Sequence, residues 1–126
     1  MKTLGFIALA LVLFGTIAAR DAIAAGDAAK GQHVFNQCRI CHSLEKGRNL
    51  VGPSLNGVIS RKSGTVEGYR YSDAMAKAGI VWSDETLAKY LKNPREYVPG
   101  NKMSFAGLKS DDDIADVIAY LNQQAK

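Results

Sequence analysis

The pentapeptide Cys38-Arg39-Ile40-Cys41-His42 decides how the rest of this 126-residue chain is interpreted. Its C-x-x-C-H pattern is the one used for covalent haem attachment of the c type. Each thiol can add to one vinyl group of a single porphyrin, and the adjacent imidazole can then bind the iron axially. The sequence therefore predicts one haem held through Cys38 and Cys41, with His42 as an iron ligand.

A C-x-x-C pair has two other common uses. A redox disulfide normally belongs near a βαβ pattern, and no such pattern is visible in this sequence. A structural zinc site takes four ligands, whereas Cys38 and Cys41 are the only cysteines in the chain. The one other histidine, His33, is not spaced like a zinc partner, and we expect it on the surface of a helix. Haem attachment is therefore the preferred interpretation.

The N-terminal segment has the organisation of an export signal. A positively charged start precedes an uncharged apolar run, residues 4–19, and small residues then allow cleavage before Ala25 or Gly26. An uncleaved anchor is the alternative, but the run is shorter than the roughly 20 residues that a helical span needs. We predict a cleaved signal over 1–25, no stable membrane anchor, a periplasmic location and one monohaem domain over 26–126.

Charge gives a weaker indication of partners. The formal net charge is +4, and two haem propionates would offset part of it. Lysines could form a basic rim around an exposed haem edge, while acidic residues gather over 111–116, and such a separation would orient the protein toward acidic partners. Dispersed basic residues and the lack of a recognised motif argue against nucleic-acid binding. The candidate rim residues are Lys30, Lys46, Lys89, Lys92, Lys102 and Lys109.

Helical patterns separated by long loops predict an all-α fold. The last helix is the clearest, because its apolar residues recur at i, i+3, i+4 and i+7. Residues 43–68 are predicted to form one long ordered loop that a cofactor underlies, and 95–108 to be irregular. The predicted stops are Gly79 and Asn93-Pro94. The predicted helix starts are Asp27, Tyr71-Ser72-Asp73, Ser83 and Ser110.

A second axial ligand would separate an electron carrier from a gas-binding or peroxidase haem protein. Beyond the leader the methionines are Met75 and Met103. Met75 stands among alanines on a short helix, where a methionine commonly fills a gap in the core. Met103 lies in a loop punctuated by Pro and Gly, far enough from His42 to reach the opposite ring face. Spacing favours Met103 without deciding the question.

Short segments that together match one family pattern run through nearly all of residues 26–126. They are Gly31, Phe35, 38–42, 52–55, Gly57, 61–62, 71–74, 79–82, 90–94 and 99–107. By these segments the chain resembles the class I cytochromes c, of the mitochondrial or bacterial c2 kind. The resemblance implies four to five helices and long loops wrapped around one covalently attached haem. It also implies a soluble, monomeric one-electron carrier, not an enzyme, that cycles Fe(III)/Fe(II).

The resemblance also implies roles for individual residues. His42 and Met103 would be the fifth and sixth ligands of the iron. Pro53 would accept a hydrogen bond from the His42 ring, and Tyr90 would direct its hydroxyl at the Met103 sulfur. The first and last helices would cross where Gly31 and Phe35 meet Tyr120 and Leu121. The residues implied to bind the buried propionate are Arg61, Tyr71 and Trp82.

Two positions depart from the family pattern. Asn101 stands where threonine is frequent, and its amide could still bind a propionate. Met75 stands where mitochondrial members carry asparagine, so the polar network near the ligated methionine must differ in this chain.

The expected partners are redox proteins, such as a bc1-type complex, a terminal oxidase, a photosynthetic reaction centre or a periplasmic dehydrogenase. Two alternatives remain open at this point. An open-iron haem protein would bind carbon monoxide promptly when reduced, and a thiol–disulfide oxidoreductase would be colourless.

Overall fold

The computed structural model of the protein describes residues 25–126. The predicted export signal lies outside the described residues, apart from Ala25. Within the described part of the chain, no helix has both the length and the apolar character needed to cross a bilayer. That part contains five helices: α1 (Ala28–Phe35), α2 (Asp73–Lys77), α3 (Asp84–Lys92), α4 (Pro94–Tyr97) and α5 (Asp111–Gln124).

Side-chain caps begin the four helices that the sequence predicts. The Asp27 carboxylate accepts from the Ala29 amide at 2.9 Å, which satisfies a donor that has no partner inside the helix. Ser83 and Thr86 form a reciprocal capping box at the start of α3. α2 and α5 are capped without the reciprocal bond: the Ser72 hydroxyl accepts from the Met75 amide, and the Ser110 hydroxyl accepts from the Asp113 amide. The predicted starts are confirmed.

One prediction about the loops is wrong, because the segment after Asn93 is not irregular throughout. Pro94–Tyr97 forms the short helix α4. Asn93 caps both helices: its backbone N–H donates to the Lys89 carbonyl at the end of α3, and its side-chain Oδ1 accepts from the Glu96 amide at 3.4 Å at the start of α4. Pro94 ends α3 but suits the first position of α4, where a backbone N–H would have no helical partner in any case.

The core is built where α1 crosses α5. A Cβ added at Gly31 would lie 1.9 Å from the Asp116 carbonyl oxygen, so only glycine permits this approach. The Phe35 and Tyr120 rings are 5.3 Å apart at an interplanar angle of 45°. The predicted crossing is confirmed at these residues, and Leu121 belongs to the same buried cluster.

Residues 43–68 form the predicted long loop, without a helix or strand. Buried side-chain hydroxyls replace part of the missing regular structure. Ser54 Oγ donates to the Glu45 carbonyl at 2.6 Å, and Ser63 Oγ accepts from the Ile80 amide at 3.0 Å. The Asn56 side chain joins the loop to the segment that follows α5, because its Nδ2 donates to the Lys126 carbonyl at 2.7 Å. The loop is therefore held in place at several points.

Candidate haem site

A mainly apolar cavity of about 480 Å³ lies between the long loops and the helices. Its volume is in the range of about 300–1,000 Å³ that cofactor sites occupy. All ten residues that the sequence analysis assigns to the site line this cavity: Cys38, Cys41, His42, Pro53, Arg61, Tyr71, Trp82, Tyr90, Asn101 and Met103.

A tight turn after α1 directs the C-x-x-C-H pentapeptide at the cavity. The Cys38 amide donates to the Phe35 carbonyl at 2.8 Å, and the His42 amide donates to the Cys38 carbonyl at 2.9 Å. Both thiols are free and partly buried. Burial, together with the neighbouring Cys41, raises the pKa of Cys38 to about 11. A reactive redox cysteine has a lowered pKa, so this environment disfavours the thiol–disulfide alternative.

The His42 ring is fixed by its neighbours. Its Nδ1 lies 2.7 Å from the Pro53 carbonyl, which can only accept, so Nδ1 carries the proton and Nε2 keeps its lone pair. A Cβ at Gly52 would lie 2.4 Å from His42 Cε1, so glycine lets the backbone pack against the ring. Burial lowers the pKa of His42, and the positive charge of Arg61 lowers it further, although the Pro53 bond opposes both effects. A neutral imidazole is the form that binds a metal.

Met103 meets the cavity from the loop that follows α4. The Tyr90 hydroxyl donates to Met103 Sδ across 3.8 Å, a distance that the large sulfur atom permits. Burial raises the pKa of Tyr90 to about 12, so this hydroxyl keeps its proton at neutral pH. The Met103 amide donates to Asn101 Oδ1 at 2.9 Å. Both the side chain and the backbone of Met103 are therefore constrained.

Another part of the cavity carries polar groups that suit an anion. Arg61 Nη1 donates to the Asn56 carbonyl at 2.8 Å, but Arg61 forms no ion pair with any residue of 25–126. Burial lowers the pKa of this guanidinium. The Tyr71 hydroxyl accepts from the Val66 amide at 3.2 Å, which leaves its own proton available. A partly buried cation beside a free hydroxyl proton fits a haem propionate.

The two departures from the family pattern also line the cavity. Met75 is buried there, with 9% of its surface exposed. Asn101 uses its amide nitrogen on two backbone carbonyls, those of Pro94 at 2.8 Å and Val98 at 2.9 Å. Its binding of a propionate remains a prediction that these contacts do not favour.

Tyr69 is a cavity residue that the sequence analysis did not single out. Its hydroxyl donates to the Val51 carbonyl at 2.8 Å. The Lys102 ammonium lies 4.8 Å from the centre of its ring and also donates to the Arg70 carbonyl. These contacts connect the segment beside His42 with the segment that carries Met103. An aromatic residue in an irregular segment, two positions before Tyr71, was the only sequence signal.

Two thiols and an adjacent imidazole at one cavity are the set that covalent attachment of a c-type haem needs. The sequence model of the family described as cytochrome c matches residues 28–125. The chain belongs to the cytochrome c family. This cytochrome c therefore binds one haem covalently through Cys38 and Cys41, and it carries electrons instead of catalysing a reaction.

Individual relatives agree with this assignment. This cytochrome is 47% identical over 112 residues to cytochrome c2 of Blastochloris viridis, which covers 88% of each chain. It is 50% identical over 106 residues to cytochrome c of Gibberella zeae, covering 82% of this chain and 100% of that protein. Its structure matches cytochrome cH from Methylobacterium extorquens with a TM-score of 0.73 at 41% identity, over 78% of this chain and 99% of the other. The predicted class I cytochrome c fold is confirmed.

Proposed function

We propose that this cytochrome holds its haem iron between His42 and Met103 and passes single electrons between redox proteins of the periplasm. The observation that carries the proposal is that both side chains line one cavity and each has its own polar partner. His42 bonds to Pro53 at 2.7 Å, and Tyr90 bonds to Met103 at 3.8 Å. The bound haem supplies the Fe(III)/Fe(II) couple.

His42 would offer Nε2 to the iron, because Nδ1 is committed to the Pro53 carbonyl. An acceptor on the remote ring nitrogen fixes the orientation of the imidazole and raises its basicity as a ligand. The turn from Cys38 to His42 keeps this ring next to both attachment points. The proximal side of the site is therefore preorganised by backbone contacts.

Met103 would fill the sixth position. A thioether ligand raises the reduction potential and leaves no site for a small molecule at the iron. The Tyr90 hydroxyl, aimed at the sulfur, withdraws electron density from it. Arg61 would hold the propionate and oppose the extra positive charge of the oxidised iron. With both axial positions occupied, the residues of this site support electron transfer and no substrate chemistry.

The surface charges support docking to acidic partners in part. Lys89, Lys92 and Lys109 line one groove, and Lys102 lines the haem cavity. The expected separation from the acidic cluster does not hold everywhere, because Lys92 lies 2.9 Å from Asp111. A rim around the haem edge would speed encounter with an acidic redox protein, of which the complexes, oxidases, reaction centres and dehydrogenases named above are candidates.

Carbon monoxide distinguishes this proposal from an open-iron protein. We expect the reduced holoprotein at neutral pH to resist carbon monoxide, since Met103 occupies the sixth position. Met103→Ala should bind it promptly, and Met75→Ala, which alters the other methionine of the cavity, should not. Prompt binding by the natural protein would refute the axial assignment.

The periplasmic location depends on the export signal. N-terminal sequencing of the purified holoprotein should begin at Ala25 or Gly26. An intact Met1 would show instead that the leader is retained.

A further inference from the structure

The Asn101 side chain makes three hydrogen bonds, and all of them are to the backbone. A carboxamide has two N–H donors and one carbonyl oxygen with two acceptor lone pairs, so both donors and one acceptor position are used. Nδ2 donates to the carbonyls of Pro94 at 2.8 Å and Val98 at 2.9 Å, and Oδ1 accepts from the Met103 amide at 2.9 Å. One side chain thus ties both ends of α4 to the amide of Met103.

The carbonyls that Asn101 binds belong to a fixed part of the molecule. Pro94 is less than 2% exposed and Val98 is 4% exposed. The Pro94 carbonyl also accepts from the Val98 amide at 3.0 Å, and the Val98 carbonyl accepts from the Asn101 amide at 3.1 Å. Asn101 therefore fixes the neighbouring loop relative to a buried, hydrogen-bonded helix.

The loop that carries Met103 has few backbone hydrogen bonds, although Leu108 at its far end donates to the Leu91 carbonyl at 2.8 Å and Lys102 donates to the Arg70 carbonyl. Residues 99–110 contain no helix or strand, and the left-handed backbone at Gly100 (φ +88°) and Gly107 (φ +104°) marks two sharp bends in this segment. Outside Asn101, the backbone of Met103 makes one further bond, in which its carbonyl accepts from the Phe105 amide at 3.0 Å. The three hydrogen bonds of the Asn101 side chain are thus the main link between the backbone of Met103 and α4.

We propose that Asn101 is a positioning residue, which holds the Met103 sulfur on the haem iron by fixing the backbone of its loop. This inference rests on the proposed His42/Met103 ligation. It gives Asn101 a role different from propionate binding, since both amide protons are already committed. The loss of these bonds should make Met103 easier to displace without removing the ligand itself.

Imidazole competition measures how easily Met103 is displaced. Asn101→Ala removes all three side-chain bonds. Asn101→Asp keeps the acceptor for Met103 but sets a carboxylate against two carbonyls. We expect both oxidised variants to bind imidazole about tenfold more tightly than the natural protein or better, as the loss of more than one hydrogen bond implies. As the pH is raised, both variants should lose the methionine-to-iron absorption band at a lower pH than the natural protein does.

A matched control separates this role from general destabilisation. Asn122 also uses its amide on a backbone carbonyl, that of Ile118 at 3.0 Å, and on Asp84 at 2.9 Å, but it does not line the haem cavity. Asn122→Ala should lower the denaturant midpoint and leave imidazole affinity unchanged. Asn101→Thr replaces the carboxamide by a single hydroxyl, so it should be intermediate, and it serves if Asn101→Ala does not accumulate as holoprotein.

The outcomes are distinct. The positioning role would be overturned if the Asn101 variants bound imidazole with the natural affinity and lost the methionine-to-iron band at the natural pH. The role would also be overturned if Asn122→Ala changed the imidazole affinity and the pH of band loss as strongly as Asn101→Ala does. If the natural protein itself shows no methionine-to-iron band, the axial assignment fails instead.

Discussion

The hydroxyl of Tyr90 donates to the sulfur of Met103 across 3.8 Å. Tyr90 is buried, and its ring packs 5.0 Å from Trp82 and 6.4 Å from Tyr97, centre to centre. Because the phenol cannot turn away within this packing, its O–H remains directed at the sulfur. If Met103 binds the iron as proposed, this contact adjusts the electron density of the ligand sulfur through a group that does not itself bind the iron.

Tyr90→Phe should lower the reduction potential while keeping the methionine-to-iron band. Loss of the donor makes the sulfur a better ligand for Fe(III). One hydrogen bond of about 1 kcal/mol corresponds to roughly 40 mV for a one-electron couple. Potentiometric titration measures the shift. Tyr97→Phe, which removes a hydroxyl without touching Met103, should stay near the natural value, and equal shifts in both variants would contradict the account.

Arg61→Gln should also lower the potential, by several tens of millivolts. The guanidinium lines the cavity without an ion-pair partner among residues 25–126 and opposes the charge of the oxidised iron. Lys62→Gln removes the same charge from an exposed neighbouring side chain and should have a much smaller effect, because water screens it. If Arg61→Gln had the same reduction potential as the natural protein, the proposed contact between Arg61 and a propionate would be excluded.

Gly31→Ala should destabilise the fold by about 2–3 kcal/mol, despite the higher helix propensity of alanine. The new Cβ would lie 1.9 Å from the Asp116 carbonyl and 2.9 Å from Tyr120 Cβ, so α1 and α5 would have to separate. Guanidinium unfolding followed by circular dichroism gives the free energy. The exposed Gln32→Ala on the same helix should change it by less than about 0.5 kcal/mol. A more stable Gly31→Ala protein would contradict the close crossing.

Replacing Lys89, Lys92 and Lys109 together by glutamine should slow oxidation of the reduced protein by ferricyanide about tenfold at low ionic strength. The difference should nearly vanish at high salt, where charges are screened. A second triple variant, at the exposed Lys62, Lys77 and Lys126, has the same net charge without altering the groove. Identical rates for the two variants would show that only net charge matters and that these three lysines do not form part of a docking rim.

Local signals in the sequence predict most of this fold. The serines that begin α2, α3 and α5 are recognisable because each precedes a helical pattern and supplies an acceptor for an amide in the first turn. Pro94 is ambiguous in the sequence, because proline is compatible both with the end of one helix and with the first position of another. A cap residue immediately before Pro94, Asn93, was the signal that could have revealed α4.

The finer features of the site depend on tertiary contacts that no local pattern encodes. Asn101 is recognisable from the sequence as an unusual residue, but its bonding partners are carbonyls whose positions are set by α4. The ion pair of Lys92 with Asp111 joins residues 19 positions apart, and charge counting could not reveal it. The C-x-x-C-H motif, in contrast, predicts the haem site from the sequence alone, because covalent attachment of the cofactor requires that spacing.

The most direct test of the axial assignment is iron X-ray absorption of the oxidised holoprotein. Five nitrogens, four from the porphyrin and one from His42, and one sulfur from Met103 should surround the iron, and Met103→Ala should lose the sulfur contribution. The cysteine sulfurs are joined to the porphyrin periphery and do not enter this shell. A natural protein whose iron shell contains only nitrogen or oxygen would contradict the central claim.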